Sequence, residues 1–290
     1  MYDFRRQHDF VIGIDSDGCA FDTMEIKHKE CFIPNTIKHF GLQAVSKYAR
    51  EAAEFVNLYS KWRGINRFPA LVNTIDILLD RPEVARRKLK FPDIAGLREW
   101  IKRETKLGNP TLEKEVAATS DAALVRALEW SKAVNAAIER MVEGVPPFPF
   151  VRESLEKLRG IADMVVCSAT PGAALNAEWE EHEISQFVQA ICGQEMGSKK
   201  EILQRAAAAG YSDNRVLMIG DAPGDMQAAR ANGALFYPIN PGAEEASWER
   251  FFTEACDRFL KGTYAGGYEA VLIAEFDAFL PEVPPWKRAS

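Results

Sequence analysis

Apolar and polar positions follow three different textures along this chain. The first is a short run, FVIGI (Phe10–Ile14), rich in aromatic and β-branched residues and closed by Asp15, Asp17 and Asp22. It predicts a buried strand. From about Met24 to Val142 the apolar positions recur at three- and four-residue steps instead. SDAALVRALEWSKAVNAAIERMVEG carries that pattern best: Leu124, Leu128, Ser131, Val134, Ile138 and Met141 fall on one helical face, with Ser120 placed to cap the helix and Gly144 to end it. Shorter helices are predicted in SKYAREAAEFVNLYSKW, FPALVNTIDILLD and DIAGLREWIKRE, the last capped by Asp93. After a proline-rich joint, GVPPFPF (144–150), helix and strand patterns alternate: VRESLEKLRG, ADMVVCS, PGAALNAEWEEH, FVQAICG, SKKEILQRAAAAG, RVLMIGD, GDMQAARANG and ALFYPI.

Strands separated by helices of that length predict βαβ units on a parallel sheet. FVIGI cannot stand alone and joins the same sheet. The expected architecture is therefore α/β, with a Rossmann-like parallel-sheet core formed by 1–22 and 143–290. A C-terminal helical extension of that core begins at about 243, and an all-helical domain is inserted at 23–142.

Composition changes this picture little and narrows the function. The chain has 290 residues, 47% hydrophobic and 27% charged, enough for a sizeable core. A formal net charge of −6 gives no field that would gather nucleic acid or an anionic membrane, so neither is an expected partner. The basic run RPEVARRKLK reads as a solvated face. The five cysteines form no CxxC pair, which argues against a zinc site or a disulfide framework and suits a reducing cytosol. MYDFRRQHDF lacks the apolar core of a signal peptide, and no run approaches the ~18 residues of a membrane span. A soluble cytoplasmic protein is expected.

Candidate chemistry gathers at the predicted strand ends, where open parallel sheets collect functional groups. FVIGI is followed by Asp15 and Asp17, ADMVVC by Ser168, Ala169 and Thr170, and RVLMIG by Asp221, with Asp225 four residues on. Lys199 and Lys200 open the helix between the last two strands. Such carboxylates suit a hard divalent cation, Mg²⁺ above all. A calcium loop starting at Asp15 is excluded, because Ala20 and Ile26 stand where that loop needs Gly and Glu.

In order, DSDGCAFDT, CSAT, GSKKEIL and IGDAPGDMQAARANGA resemble the four motifs of the haloacid dehalogenase superfamily. The resemblance implies Asp15 as nucleophile, Asp17 as general acid/base, and Ser168 as the hydroxyl that binds the phosphoryl group. Gly18 and Ala169 would line the substrate. Lys199 fits the third-motif lysine better than Lys200, because Leu203 follows it at +4, and both remain open. Asp15, Asp17, Asp221 and Asp225 are the implied Mg²⁺ site. Cys19 stands where the family usually has Thr or Val and reads as packing. Asp22 and Thr23 read as hinge residues.

Two further features refine the implied reaction. Asp17 points to an oxygen leaving group and away from dehalogenation. The insertion between the first and second motifs resembles a C1 cap, which selects small soluble substrates. Within it, SKWRGINRFPAL (60–71) is similar to a segment of β-phosphoglucomutase-like caps. That similarity assigns Arg67 to a distal anionic group of the substrate, with Arg63 and Asn66 nearby; two arginines four apart can face one way on a helix turn. The expected function is a Mg²⁺-dependent phosphatase hydrolysing a small phosphorylated metabolite, such as a sugar phosphate, through an aspartyl-phosphate. A sugar-phosphate mutase of the same superfamily is the alternative, and a non-catalytic phosphometabolite-binding protein the remote one.

Overall fold

The structure, a computed structural model, describes residues 4–288. Its sheet has five strands: β1 (Phe10–Ile14), β2 (Ala162–Cys167), β3 (Ala190–Cys192), β4 (Val216–Gly220) and β5 (Leu235–Pro238). All pair in parallel, in the order β3-β2-β1-β4-β5. This is the predicted α/β fold, and FVIGI is its central strand. Ile14 lies opposite Val166 of β2 on one side and Ile219 of β4 on the other. Chain order reverses at β1, so the carboxyl end of β1 opens at the point where such sheets place ligands.

β1, β2, β4 and β5 are buried along their whole length, as expected of a parallel sheet covered on both faces. On one face Ile12 and Ile14 join Leu155, Trp179, Trp248 and Phe251. On the other, Val11 and Met218 join Ile202, Leu203 and Phe276. Helices before and after the strands supply both layers.

The chain forms two compact units, 4–24 with 144–281, and 25–143 with 282–288. The helical unit is built from Ser46–Asn57, Arg67–Leu79, Ala95–Arg103, Asn109–Thr119 and Ala122–Met141 around Phe68, Trp100 and Trp130. Its longest helix starts one residue later than predicted. Asp121, not Ser120, accepts the first amides, from Ala123 (2.8 Å) and Leu124 (3.1 Å), while Ser120 turns left-handed (φ +52°) to end the preceding helix. Met141 lies in solvent, because the face it shares with Leu124 and Val134 runs past the end of the core. In the basic run only Pro82–Ala85 is helical, and Arg86–Lys90 is exposed.

The C-terminal extension divides between the two units. Trp248, Phe251, Phe259 and Leu272 pack into the α/β core. Residues 282–288, expected with that core, group with the helical unit instead. There the Arg81 guanidinium stacks 4.2 Å from the Trp286 ring centre and 4.7 Å from that of Tyr48, and Trp286 meets Phe55 edge-on. A cation held between two aromatic faces gives this short segment its anchor. No helix among the described residues is long and apolar enough to cross a membrane.

Candidate active site

β1 stops at Ile14 and the chain turns at once. The Asp15 amide still donates to Ile219 O (3.0 Å), and the Ser16 amide donates to the Asp15 carboxylate (2.8 Å). Gly18 then takes a φ of +73° that other residues rarely adopt, letting its amide reach Phe21 O at 2.8 Å. Asp15 is thereby fixed at the strand end, 4% exposed.

β4 brings the second pair of carboxylates. Gly220 leaves room that nothing larger could: a Cβ there would come within 2.5 Å of the Asp225 side chain. Asp225, in the first turn of the helix Pro223–Ala231, folds back and accepts from the Ala222 amide at 3.0 Å. The carboxylate oxygens of Asp15, Asp221 and Asp225 then lie within 4.8 Å of one another, all three residues buried.

The lysine comes from the helix Lys199–Ala207, whose start is set by a capping box between Ser198 and Glu201. Lys199, at its first position, places Nζ 2.5 Å from Asp15 Oδ2 and 2.6 Å from Asp225 Oδ1. Lys200 is exposed. The structure therefore brings Lys199 to the carboxylates and leaves its neighbour outside.

Electrostatics make this cluster proton-rich. Burial pushes the Asp15 carboxyl well above the usual range; Lys199 opposes that push, while Asp225 and Asp221 add to it. Burial raises Asp225 in the same way, again against Lys199. Burial alone would depress the Lys199 ammonium, but Asp15, Asp225 and Asp221 outweigh it and raise its pKa well above the ordinary value. These directions agree: one ammonium faces three buried carboxylates, and Asp15 and Asp225 hold their protons more tightly than exposed carboxyls do. A divalent cation suits the remainder, since hard carboxylate oxygens are what Mg²⁺ prefers. Asp15, Asp221 and Asp225 are the residues that would hold it.

Asp17 is not one of those three. Its carboxylate accepts from Thr23 Oγ1 (2.5 Å) and Thr170 Oγ1 (2.6 Å). Ser168 is buried at the end of β2, its amide bonded to Cys192 O (3.0 Å) and its hydroxyl accepting from the Thr170 amide (3.2 Å). Ala169 is exposed on the loop that follows. Cys19 is buried, and burial pushes its thiol well up, with Asp221 and Asp15 adding to the effect. That is an inert packing residue. Sequence reading set Thr23 aside as a hinge and gave Thr170 no role. Each closes a motif stretch, DSDGCAFDT and CSAT, and that position does not tell a carboxylate partner from a packing residue.

Each of the residues assigned in the helical unit has a place there. Arg63 is 2% exposed and donates to Leu58 O at 2.9 Å. It precedes the helix that begins at Arg67, so the four-residue helical spacing does not apply to the pair. Asn66 caps that helix, accepting from the Phe68 amide (3.0 Å) and donating to Leu107 O (2.9 Å). Arg67 Nη1 donates to Asn135 Oδ1 (2.6 Å) and Ser131 Oγ (3.0 Å), with the guanidinium 5.2 Å from the Phe32 ring centre.

Residues 14–233 match the family of haloacid dehalogenase-like hydrolases. The chain belongs to this family. Among solved structures it is similar to a haloacid dehalogenase-like hydrolase of Streptococcus pneumoniae, at 14% identity over 83% of this chain and 90% of that one, TM-score 0.48. It is also similar to a β-phosphoglucomutase-like protein of Bacteroides vulgatus, at 16% identity over 89% and 91% of the two chains, TM-score 0.49. No curated protein matches the sequence. In this hydrolase the first-motif aspartates, the Ser168 loop and Lys199 all come to one end of the sheet.

Proposed function

We propose that this hydrolase is a phosphatase of small phosphorylated metabolites, working with Mg²⁺ and phosphorylated in passing on Asp15. The observation that carries this reading is the Lys199 ammonium bridging Asp15 and Asp225 inside a buried group of three carboxylates. A phosphate dianion repels a carboxylate nucleophile, so the ammonium must neutralise charge on both. Bound Mg²⁺ would supply the rest of that neutralisation.

Asp15 then attacks phosphorus in line, forming an acyl phosphate and dividing one hard displacement into two. The Ser168 hydroxyl holds an equatorial oxygen. Asp17, with its carboxylate steadied by Thr23 and Thr170, gives a proton to the leaving oxygen and later takes one from the attacking water. Lys199 keeps Asp15 from turning away between turnovers.

Arg67 favours a substrate with a second anionic group. Its guanidinium is held by neutral oxygens and an aromatic face, and it forms no ion pair among the described residues. The charge is positioned but not spent. A small soluble substrate, with neither nucleic acid nor membrane as partner, and a cytoplasmic setting complete the proposal.

Phosphate release from a panel of small phosphorylated metabolites, with Mg²⁺ and with EDTA, tests it. Metal-dependent release, fastest from compounds carrying a second phosphate or a carboxylate, is expected. Folded protein that releases nothing with Mg²⁺ present, or that works equally well in EDTA, would contradict it. Turnover only in the presence of a sugar bisphosphate would make the protein a mutase.

A further inference from the structure

Ser16 stands between the two first-motif aspartates and is fully buried, with every polar atom engaged. Its amide donates to Asp15. Its carbonyl accepts from the amides of Ala20 (2.9 Å), Phe21 (3.1 Å) and Cys19 (3.2 Å), which closes the turn. Its hydroxyl serves neither aspartate. It donates to Glu178 Oε2 at 3.1 Å and accepts the Trp179 indole N–H at 3.0 Å.

Glu178 and Trp179 are neighbours on the helix Gly172–Glu181, which follows directly from the loop carrying Ser168. The same helix packs its Trp179 ring edge-on against Phe21, with centroids 5.8 Å apart. Hydrogen bonds from Thr170 to Asp17, and from Ser16 to this helix, thus join the segment after β1 to the segment after β2. A buried serine between an indole donor and a carboxylate acceptor has one orientation that satisfies both, so it fixes the turn more tightly than packing alone.

We propose that Ser16, Glu178 and Trp179 form a positioning unit that holds the loop of Asp15 and Asp17 in register with the loop of Ser168. Its catalytic consequence rests on the phosphatase reading. In-line transfer is sensitive to displacements of an ångström, and this unit acts through the aspartates without touching substrate.

The test combines steady-state kinetics with the indole NMR signal of Trp179, assigned through Trp179→Phe. Ser16→Ala and Glu178→Ala should lower kcat roughly ten- to a hundredfold with KM little changed. Glu178→Gln keeps an acceptor for the hydroxyl and should recover most of the rate. The double variant Ser16→Ala/Glu178→Ala should be no slower than Ser16→Ala alone, as expected of residues acting together. Added Mg²⁺ should shift the Trp179 indole signal in the wild type but not in Ser16→Ala. A Glu178→Ala enzyme with wild-type kcat, a Glu178→Gln enzyme as slow as Glu178→Ala, or a wild-type indole signal indifferent to Mg²⁺ would each overturn the proposal. Should the wild type release phosphate from nothing, the phosphatase reading falls, and the indole response still decides whether Ser16 links the two loops.

Discussion

Two buried aspartates on neighbouring strands of one sheet behave in opposite ways. Asp163, near the start of β2, is 1% exposed, and Asp15, just past the end of β1, is 4% exposed. Around Asp163 every neighbour donates. Its carboxylate accepts from the amides of Gln7 (2.9 Å) and His8 (3.0 Å), the His8 ring (2.9 Å), the Tyr211 hydroxyl (2.5 Å) and the Gln189 amide group. Burial pulls its pKa up, but bonds from Tyr211, Gln7 and His8 outweigh that and leave it lowered. Around Asp15 two further carboxylates crowd in and one ammonium answers them, so its pKa stays well raised. Burial is common to both. What differs is whether the surroundings complete the charge or leave it waiting for a cation. The first arrangement holds the sheet together, and the second is where chemistry can start.

Exchanging each aspartate for its amide separates these roles most sharply. Asp15→Asn should cost roughly a thousandfold or more in kcat, as loss of a nucleophile does, while leaving the metal-free protein as stable as before or more so. Asp163→Asn should do the reverse. It turns an amide N–H₂ toward groups that already donate, so urea unfolding should show a loss of about 3 kcal/mol, with kcat per folded molecule unchanged.

Steric room provides the next break. Gly220→Ala would drive a methyl to within 2.5 Å of Asp225 and displace it from Lys199. Activity should fall roughly a hundredfold from that misplacement, against a stability cost of about 1–3 kcal/mol.

The pH dependence of stability sharpens the comparison further. Asp163 has a folded pKa below its unfolded one, near 3.9, so its contribution is complete above that value and disappears as pH falls below it. Asp15 and Asp225 have raised folded pKa values. Without metal, their share of the stability grows as pH falls through that raised range toward their unfolded values. Unfolding curves of metal-free protein taken at stepwise lower pH should show this gain, and Asp15→Asn should flatten it. Asp163→Asn should flatten the loss at lower pH instead. The smallest effect is expected at Thr23, where Thr23→Val removes one of two hydroxyls from Asp17 and should slow kcat by under about tenfold with KM unchanged.

One side of this contrast is legible in the sequence. The parallel sheet follows from strand and helix patterns that alternate after 150, and the carboxylates at the ends of β1 and β4 from apolar runs that stop abruptly at Asp15 and Asp221; the order of the strands does not. Asp163 was not legible, because ADMVVC reads as a strand whichever groups surround its one polar residue. Its partners come from positions 7, 8, 189 and 211, brought together only by the fold. The same limit hid Glu178 and Trp179, which read as ordinary residues of a surface helix. Ser120 misled for a local reason: Asp121 beside it is as good a cap, and the left-handed turn between two helices chose the second of the pair. Arg63 and Arg67 looked like a helical pair only until the helix was seen to begin at Arg67.

Trapping the phosphorylated protein tests the central claim most directly. Wild-type protein turning over its best substrate with Mg²⁺ would be quenched in acid, reduced with borohydride and digested, and its peptides, those spanning residues 7–27 and carrying Asp221 and Asp225 among them, examined by mass spectrometry. An acyl phosphate on Asp15 predicts reduction of that one residue to homoserine, with Asp17, Asp221 and Asp225 unmodified. Reduction at another carboxylate, or steady phosphate release with no aspartate reduced at all, would contradict the assignment of Asp15 as the nucleophile.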